Sequence, residues 1–169
     1  MIFRKFYPDK YYSSAYVIDF GELYRQGFRG LLTDVDNTLV PHDAPADGRA
    51  LRLISELKEM GWRICIISNN DEPRVKPFAD LAGCLYVFKA GKPSAAGYLE
   101  GMRVIGTKSE ETLFLGDQLF TDIWGANNAG VRSVLVKPMA RDPKFYIRLK
   151  RAGECIVKFL CRKHFQVVK

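Results

Sequence analysis

Gly30-Leu31-Leu32-Thr33-Asp34-Val35-Asp36-Asn37-Thr38-Leu39-Val40 begins as a short apolar run and continues into two carboxylates spaced two residues apart. The run predicts a buried strand that delivers both acids to its C-terminal end, where open α/β sheets place their chemistry. One carboxylate could attack there while its neighbour moves protons. Because Asp34-Val35-Asp36-Asn37 alone also fits a loop of turn and capping residues, the chemical interpretation needs partners further along the chain.

The chain after this stretch alternates strand and helix patterns with short connections. The predicted strands cover 63–67, 85–88, 112–115 and 131–136, and the predicted helices cover 49–60, 72–82, 94–104 and 119–129. This alternation predicts an α/β fold, a Rossmann-like doubly wound parallel sheet of five strands with helices on both faces.

Length and composition are those of one domain, with 169 residues of which 47% are hydrophobic. The sequence has no run of about 18 apolar residues and no signal-peptide pattern, so a cytoplasmic location is expected. Four cysteines without a C-x-x-C pair, in a chain with two histidines, argue against zinc and redox sites.

The net charge of +7 is unevenly distributed. Residues 1–30 carry five basic and three acidic side chains, residues 31–136 carry eleven and fourteen, and residues 137–169 carry ten and two. The pattern predicts an aromatic and basic segment over 1–29, a core over 30–140 and a basic C-terminal helix over 141–169. A basic block usually meets an anionic partner such as a membrane or nucleic acid, although a solvated face is the alternative.

Both terminal segments allow two interpretations. The aromatic residues of 1–29 fit either a segment packed on the sheet edge or an anchor at a membrane interface. From Pro143 onward, an apolar stripe recurs at helical spacing among basic residues, and its members are Phe145, Leu149, Ala152, Ile156 and Phe159 or Leu160. This stripe could pack on the domain, or the helix could lie on an anionic membrane.

Polar side chains follow four of the predicted strands, and together they suit phosphoryl transfer through an aspartyl-phosphate. Carboxylates can attack phosphorus, and two of them can hold Mg²⁺ through oxygen ligands. A hydroxyl and an ammonium can bind the remaining phosphoryl oxygens. The groups concerned are Asp34 and Asp36, then Ser68, then Lys92, then Asp117 with Asp122.

These residues resemble the four motifs of the haloacid dehalogenase superfamily of phosphatases. The first motif corresponds to Asp34-Val35-Asp36-Asn37-Thr38, the second to Ser68, the third to Lys92, and the fourth to Gly116-Asp117 through Asp122. The resemblance implies a sheet order of 5-4-1-2-3 for the five predicted strands. It also implies that Asp34 is the nucleophile and a metal ligand, and that Asp36 is the acid/base with its backbone carbonyl on Mg²⁺.

The same resemblance implies roles for the remaining motif residues. Ser68 and Asn69 would bind the substrate phosphate, Lys92 would orient it, and Asp117 would be the second metal carboxylate. Thr38 would steady the Asp36 loop, and Asp122 would be an outer or water-mediated partner of the metal. Asn37 stands where many members have glycine, which fits the type IIIA branch of the superfamily.

The spacing of the motifs leaves no room for a cap domain, because 33 residues separate Asp34 from Ser68 and 23 separate Ser68 from Lys92. Most of the chain, over about residues 6–165, is similar to the type IIIA family called YqeG, which is related to phosphatidylglycerophosphate phosphatases of mitochondria and plastids. The resemblance implies a Mg²⁺-dependent phosphatidylglycerophosphatase of phospholipid metabolism, with a phospholipid head group as substrate and peripheral contact with an anionic inner membrane face.

Two alternatives stay open at the level of the sequence. One is a phosphatase of nucleotides, nucleic-acid ends or small phosphorylated metabolites. The other is a nucleic-acid- or ribosome-associated binding module. Nucleic acid is the less favoured partner, because the aromatic residues cluster at the N-terminus and are not interleaved with the charges of the tail.

Overall fold

The computed structural model describes residues 3–142 and 145–168, and at its centre lies a six-stranded parallel sheet. The strand order is β1-β6-β5-β2-β3-β4. The strands are β1 (Lys10–Tyr12), β2 (Gly30–Thr33), β3 (Arg63–Ile67), β4 (Leu85–Val87), β5 (Thr112–Gly116) and β6 (Arg132–Val136).

The prediction of five strands was wrong, because the sheet has six. The five predicted strands keep the predicted order, and the sixth is added at one edge of the sheet. That strand is β1, which pairs with β6 so that Lys10 lies opposite Val134. Nearby, the buried Phe6 packs edge-on against Phe120 and Trp124. The N-terminal segment thus covers the sheet edge, as one of its two interpretations predicted.

Helices connect the strands on both faces of the sheet. They are α1 (Phe20–Arg25), α2 (Gly48–Glu59), α3 (Glu72–Ala82), α4 (Ala96–Ile105), α5 (Trp124–Asn128) and α6 (Phe145–Leu160). The helix predicted over 119–129 is a π-helical turn, Leu119–Ile123, followed by α5.

Alternation along the strands divides the core into two layers, since successive residues of a strand face opposite sides of the sheet. Leu31, Ile66 and Leu113 face α2 and α3. Leu32, Cys65 and Phe114 face α4 and α5. This sandwich leaves the C-terminal edge of the sheet open for the polar residues that follow the strands.

The segments where a cap domain could be inserted are short. Between β2 and β3 the described chain forms a loop and α2, and between β3 and β4 it forms α3. Neither described segment holds a further domain. Among the described residues, no helix has the length and apolar character needed to cross a membrane.

Helix α6 packs on the domain with the face opposite to its apolar stripe. Ile147, Glu154 and Val157 are buried, whereas Phe145 is 75% exposed and Phe159 is 76% exposed. Leu149, Ile156 and Leu160 are also largely exposed. The interpretation in which the stripe packs on the domain is therefore wrong. Pro143 and Lys144, where the predicted helix begins, lie outside the described residues.

Candidate active site

The polar residues predicted to act together meet at the C-terminal edge of the sheet. Asp34 follows β2, and its backbone N–H donates to the Leu115 carbonyl of β5 at 2.9 Å. Ser68 follows β3, and its N–H donates to Val87 of β4 at 3.0 Å. Adjacent parallel strands thus bring residues from distant parts of the sequence to one place.

The ammonium of Lys92 lies between two buried carboxylates. Its Nζ is 3.3 Å from Asp34 Oδ1 and 2.7 Å from Asp122 Oδ1. Burial works to lower the pKa of Lys92, but the two neighbouring carboxylates raise it above its usual value. Lys92 is consequently a fixed positive charge at the centre of the site.

Asp34 has a strongly perturbed carboxyl group. Burial raises its pKa to about 7, with Lys92 opposing the rise and Asp122 and Asp36 reinforcing it. A carboxyl group of this kind is typical of a functional site, because it changes protonation state near neutral pH.

The turn after β5 places Asp122 beside Asp117. Asp122 Oδ2 accepts hydrogen bonds from the N–H groups of Asp117 at 3.1 Å and Gln118 at 3.0 Å. A Cβ at Gly116 would lie 2.6 Å from the same oxygen, so this close approach needs glycine. Asp122 therefore has direct partners on three sides, and its role as an outer or water-mediated partner of the metal stays a prediction.

Asp117 is fully buried and contacts two side chains from elsewhere in the chain. Thr38 Oγ1 donates to Asp117 Oδ1 at 3.3 Å, and the Arg151 guanidinium pairs with Asp117 Oδ2. Burial raises the pKa of Asp117 well above its ordinary value, while Arg151 works to lower it. Thr38 thus joins the loop after β2 to Asp117, and the role in steadying the Asp36 loop that the resemblance implies stays a prediction.

Three carboxylates form a cluster that could hold a cation. Asp34, Asp117 and Asp122 each offer an oxygen, and these atoms lie within 4.8 Å of one another. The chemistry fits Mg²⁺, which prefers carboxylate oxygens, and the buried charge fits it too. Six buried acids lie in and around the site, and the basic side chains that pair with them are Lys92, Arg151 and Arg74. The six acids are Asp34, Asp36, Asp117, Asp122, Asp142 and Glu154.

The Asp36 carboxylate is held apart from this cluster by other donors. Arg74 Nη2 donates to its Oδ1 at 2.5 Å, and Asn70 Nδ2 donates to its Oδ2 at 2.7 Å. The Asp43 N–H adds a third hydrogen bond at 2.9 Å. Arg74 and Asn70 escaped the sequence analysis, although Asn70 directly follows Ser68 and Asn69.

Asn69 is bound to the backbone of Lys92 in both directions. Its Oδ1 accepts from the Lys92 N–H at 2.8 Å, and its Nδ2 donates to the Lys92 carbonyl at 3.0 Å. The side-chain amide of Asn69 therefore fixes Lys92, and the backbone amide is the Asn69 group that suits a phosphate.

A cavity of about 250 Å³ connects these groups to solvent. Helix α6 contributes Tyr146, Ile147 and Lys150 to its wall. The remaining lining residues are Asp34, Asp36, His42, Ser68, Asn69, Asn70, Lys92, Gln118 and Thr121. The C-terminal helix is thus part of the site, which its charge alone could not indicate.

Asn37 links the first motif to the segment before α6. It adopts a left-handed conformation with φ of 58°, which asparagine tolerates better than most residues. Its Nδ2 donates to Asp142 Oδ1 at 2.8 Å, and its Oδ1 accepts from the Ala140 N–H at 3.1 Å. Glycine would permit the same backbone but would lose both contacts.

Similarity to known proteins indicates the family of this chain. Residues 20–130 match the sequence profile of the haloacid dehalogenase-like hydrolases. A Bacillus subtilis (strain 168) protein named probable phosphatase YqeG is 36% identical over 155 residues, which is 91% of this chain and 90% of that protein.

A plant protein shows a weaker similarity. Phosphatidylglycerophosphate phosphatase 1, chloroplastic/mitochondrial, of Arabidopsis thaliana is 29% identical over 163 residues, which is 89% of this chain and 47% of that protein. The cobalt-bound deoxy-D-mannose-octulosonate 8-phosphate phosphatase of Haemophilus influenzae has the same fold, with a TM-score of 0.54 and 14% identity over 79% of this chain and 89% of that chain.

Proposed function

Because this chain belongs to the haloacid dehalogenase-like hydrolases and is a phosphatase, we propose that it hydrolyses a phosphomonoester on a lipid head group, phosphatidylglycerophosphate in particular, through an aspartyl-phosphate. The observation that carries the chemistry is the contact of Lys92 with both Asp34 and Asp122. This contact supports the proposal, because a buried positive charge beside the Asp34 carboxylate suits both a nucleophile and the binding of phosphoryl oxygens.

Asp34 attacks phosphorus in this proposal, and the bond to the leaving oxygen breaks. Asp36 gives a proton to that oxygen and later takes one from the water that hydrolyses the aspartyl-phosphate. Ser68, the Asn69 amide and the Lys92 ammonium bind the phosphoryl oxygens. Arg74 and Asn70 keep Asp36 at the rim of the cavity.

The buried acids of the site are suited to Mg²⁺. Asp34, Asp117 and the backbone carbonyl of Asp36 would hold it, with Asp122 fixing the turn behind Asp117. When bound, the ion supplies the positive charge that lets an anionic carboxylate approach an anionic phosphate. The excess of buried carboxylates over basic side chains supports this assignment.

The exposed face of α6 favours a lipid as the substrate class. Its stripe is apolar and unpartnered among the described residues, and exposed basic residues such as Arg148 and Lys150 lie beside it. An amphipathic helix of this composition suits an anionic membrane surface. Because Tyr146 and Lys150 also line the cavity, a membrane against the stripe would lie close to the site.

A second candidate is a phosphatase of nucleotides or other small phosphorylated metabolites. The observation that favours it is the polar lining of the cavity, which suits a phosphate and requires no acyl chain.

A substrate panel tests the proposal and separates the two candidates. With Mg²⁺ present, we expect phosphate release from phosphatidylglycerophosphate in anionic micelles to exceed release from nucleotides and sugar phosphates at least tenfold in kcat/KM. Asp34→Asn should abolish turnover, and the exposed Asp80→Asn variant should leave it unchanged. Equal turnover of soluble phosphates would overturn the lipid assignment, and full activity in Asp34→Asn would overturn the mechanism.

A further inference from the structure

Arg151 brings helix α6 into contact with the acidic cluster. Its Nη1 donates to the Asp117 carbonyl oxygen at 2.6 Å, while its Nη2 pairs with Asp117 Oδ2. The guanidinium therefore binds the main chain and the carboxylate of one residue at the same time. Such a forked contact fixes orientation as well as charge.

The orientation of Arg151 is itself fixed by two buried acids. Its Nε donates to Asp142 Oδ2 at 2.9 Å, and its Nη1 donates to Glu154 Oε2 at 3.2 Å. Glu154 Oε1 also accepts from the Leu119 N–H at 2.7 Å, at the start of the turn that carries Asp122. The guanidinium is thus held between α6, the loop after β6 and the loop after β5.

We propose that Arg151 is a positioning residue that holds the Asp117 carboxylate toward Asp34 in the orientation that binds a divalent cation. This inference rests on the proposed function, because it concerns the metal ligands of the same site. It makes α6 part of the metal centre. The C-terminal helix would then be needed for cation binding whatever the substrate.

The alternative is that Arg151 takes the place of the cation and competes with it. Its contacts argue against this, because among the described residues Arg151 reaches Asp117, Asp142 and Glu154, whereas the cation that touches Asp34 and Asp122 is Lys92. A carboxylate oxygen has two lone pairs, so Asp117 can accept from Thr38 and Arg151 and still bind a metal.

The test measures Mn²⁺ binding to the full chain by electron paramagnetic resonance, with no substrate present. We expect Arg151→Ala to weaken Mn²⁺ binding about 10- to 100-fold, the usual loss when a residue that orients a metal ligand is removed. Arg151→Lys should bind with intermediate affinity, because an ammonium keeps the charge but lacks the planar fork that contacts the Asp117 carbonyl oxygen and Oδ2 together. The matched control is Arg148→Ala, an exposed arginine of the same helix, which should bind as the wild type does.

Unchanged or tighter Mn²⁺ binding in Arg151→Ala would overturn the assignment and leave the phosphatase proposal standing. If Arg151→Ala fails to fold by circular dichroism, Arg151→Lys decides alone. Weaker binding at an unchanged melting temperature of the metal-free chain supports the proposal, and unchanged binding overturns it. A wild-type chain that binds no Mn²⁺ would overturn both the metal site and the role of Arg151.

Discussion

Arg74 Nη2 lies 2.5 Å from Asp36 Oδ1 and joins α3 to the loop after β2. The contact orients the proposed acid/base from outside the motifs that carry the rest of the chemistry. Asn70 holds the other oxygen of the same carboxylate at 2.7 Å. The Asp36 carboxylate is thus positioned separately from Asp34 and Asp117, whose carboxylates are proposed to hold the metal.

The first prediction concerns the role of Asp36 as the proton donor. Asp36→Asn should lower kcat on alkyl phosphates about 10²- to 10⁴-fold, the usual range for general acid catalysis. The loss on p-nitrophenyl phosphate should be at least tenfold smaller, because its leaving group departs without a proton. Steady-state kinetics on both substrates provide the measurement. Equal losses on the two would show that Asp36 does not protonate the leaving group.

Arg74 gives a second prediction from the same contact. Arg74→Ala should reduce alkyl phosphate turnover more than p-nitrophenyl phosphate turnover, because it removes the contact that orients the Asp36 carboxyl group, the proposed proton donor. The exposed Arg52→Ala variant on α2 is the control and should behave as the wild type. An identical fractional loss on both substrates in Arg74→Ala would point to a purely structural role.

The third prediction follows from the buried position of Lys92. Lys92→Met leaves Asp34 and Asp122 without their cation, and removing one partner of a buried ion pair costs about 3–5 kcal/mol. The loss should be largest at pH 8 and smaller at pH 5, where Asp34 can take up a proton. Urea unfolding of the metal-free chain measures it. The control, Lys76→Met, breaks an exposed pair with Asp80 and should lower the free energy of unfolding by less than about 1 kcal/mol. A similar loss in both variants would contradict the assignment of Lys92 as the buried partner of Asp34 and Asp122.

Sequence patterns were sufficient for the centre of this fold and insufficient for its periphery. Five strands have apolar patterns that predict a buried sheet, but β1 spans three residues, too few to show a period. It joins the sheet because residues 10–12 meet the open edge of β6. That pairing depends on tertiary structure and has no local signal.

Some residues of the site could be predicted from the sequence and others could not. Asp34 and Asp117 directly follow β2 and β5, and Lys92 lies in the turn after β4, so their meeting at one edge of the sheet could be predicted. Arg151 lies in a run of basic residues, and nothing local distinguishes it from Arg148 or Lys150. Only the packing of α6 shows that one of these cations is turned inward.

A fourth prediction uses the raised pKa of Asp34. Its value of about 7 in the folded chain exceeds the ordinary 3.8, so folding favours the protonated form. The stability that protonated Asp34 contributes is therefore fully present below pH 4, and it is lost as the pH rises through 7 and the folded chain must bury a charged carboxylate. Asp34→Asn removes this penalty and should stabilise the metal-free chain at pH 8 by more than about 1.4 kcal/mol, the equivalent of one pKa unit.

Thermal unfolding at pH 4 and pH 8 checks the sign of this effect. At pH 4 the variant and the wild type should be nearly equal, since Asp34 is protonated in the folded wild type. Added Mg²⁺ should raise the melting temperature of the wild type and have less effect on Asp34→Asn, because ligands stabilise only the state that binds them. A variant that is less stable than the wild type at pH 8 would contradict the proposed cause of the pKa shift.

The last prediction concerns the apolar stripe of α6. Its side chains are exposed although the opposite, more polar face is buried, which is the reverse of an ordinary surface helix. If the stripe enters a membrane interface, Leu149→Ser with Phe159→Ser should reduce flotation with vesicles containing phosphatidylglycerol at least tenfold. It should leave turnover of p-nitrophenyl phosphate within about twofold, since neither side chain lines the catalytic cavity.

Leu81→Ser, at an equally exposed leucine of α3, is the matched control and should float as the wild type does. Unchanged flotation of the double variant would contradict the membrane contact. A dimer of the wild type in sedimentation that becomes a monomer only in the double variant would assign the stripe to a protein contact instead.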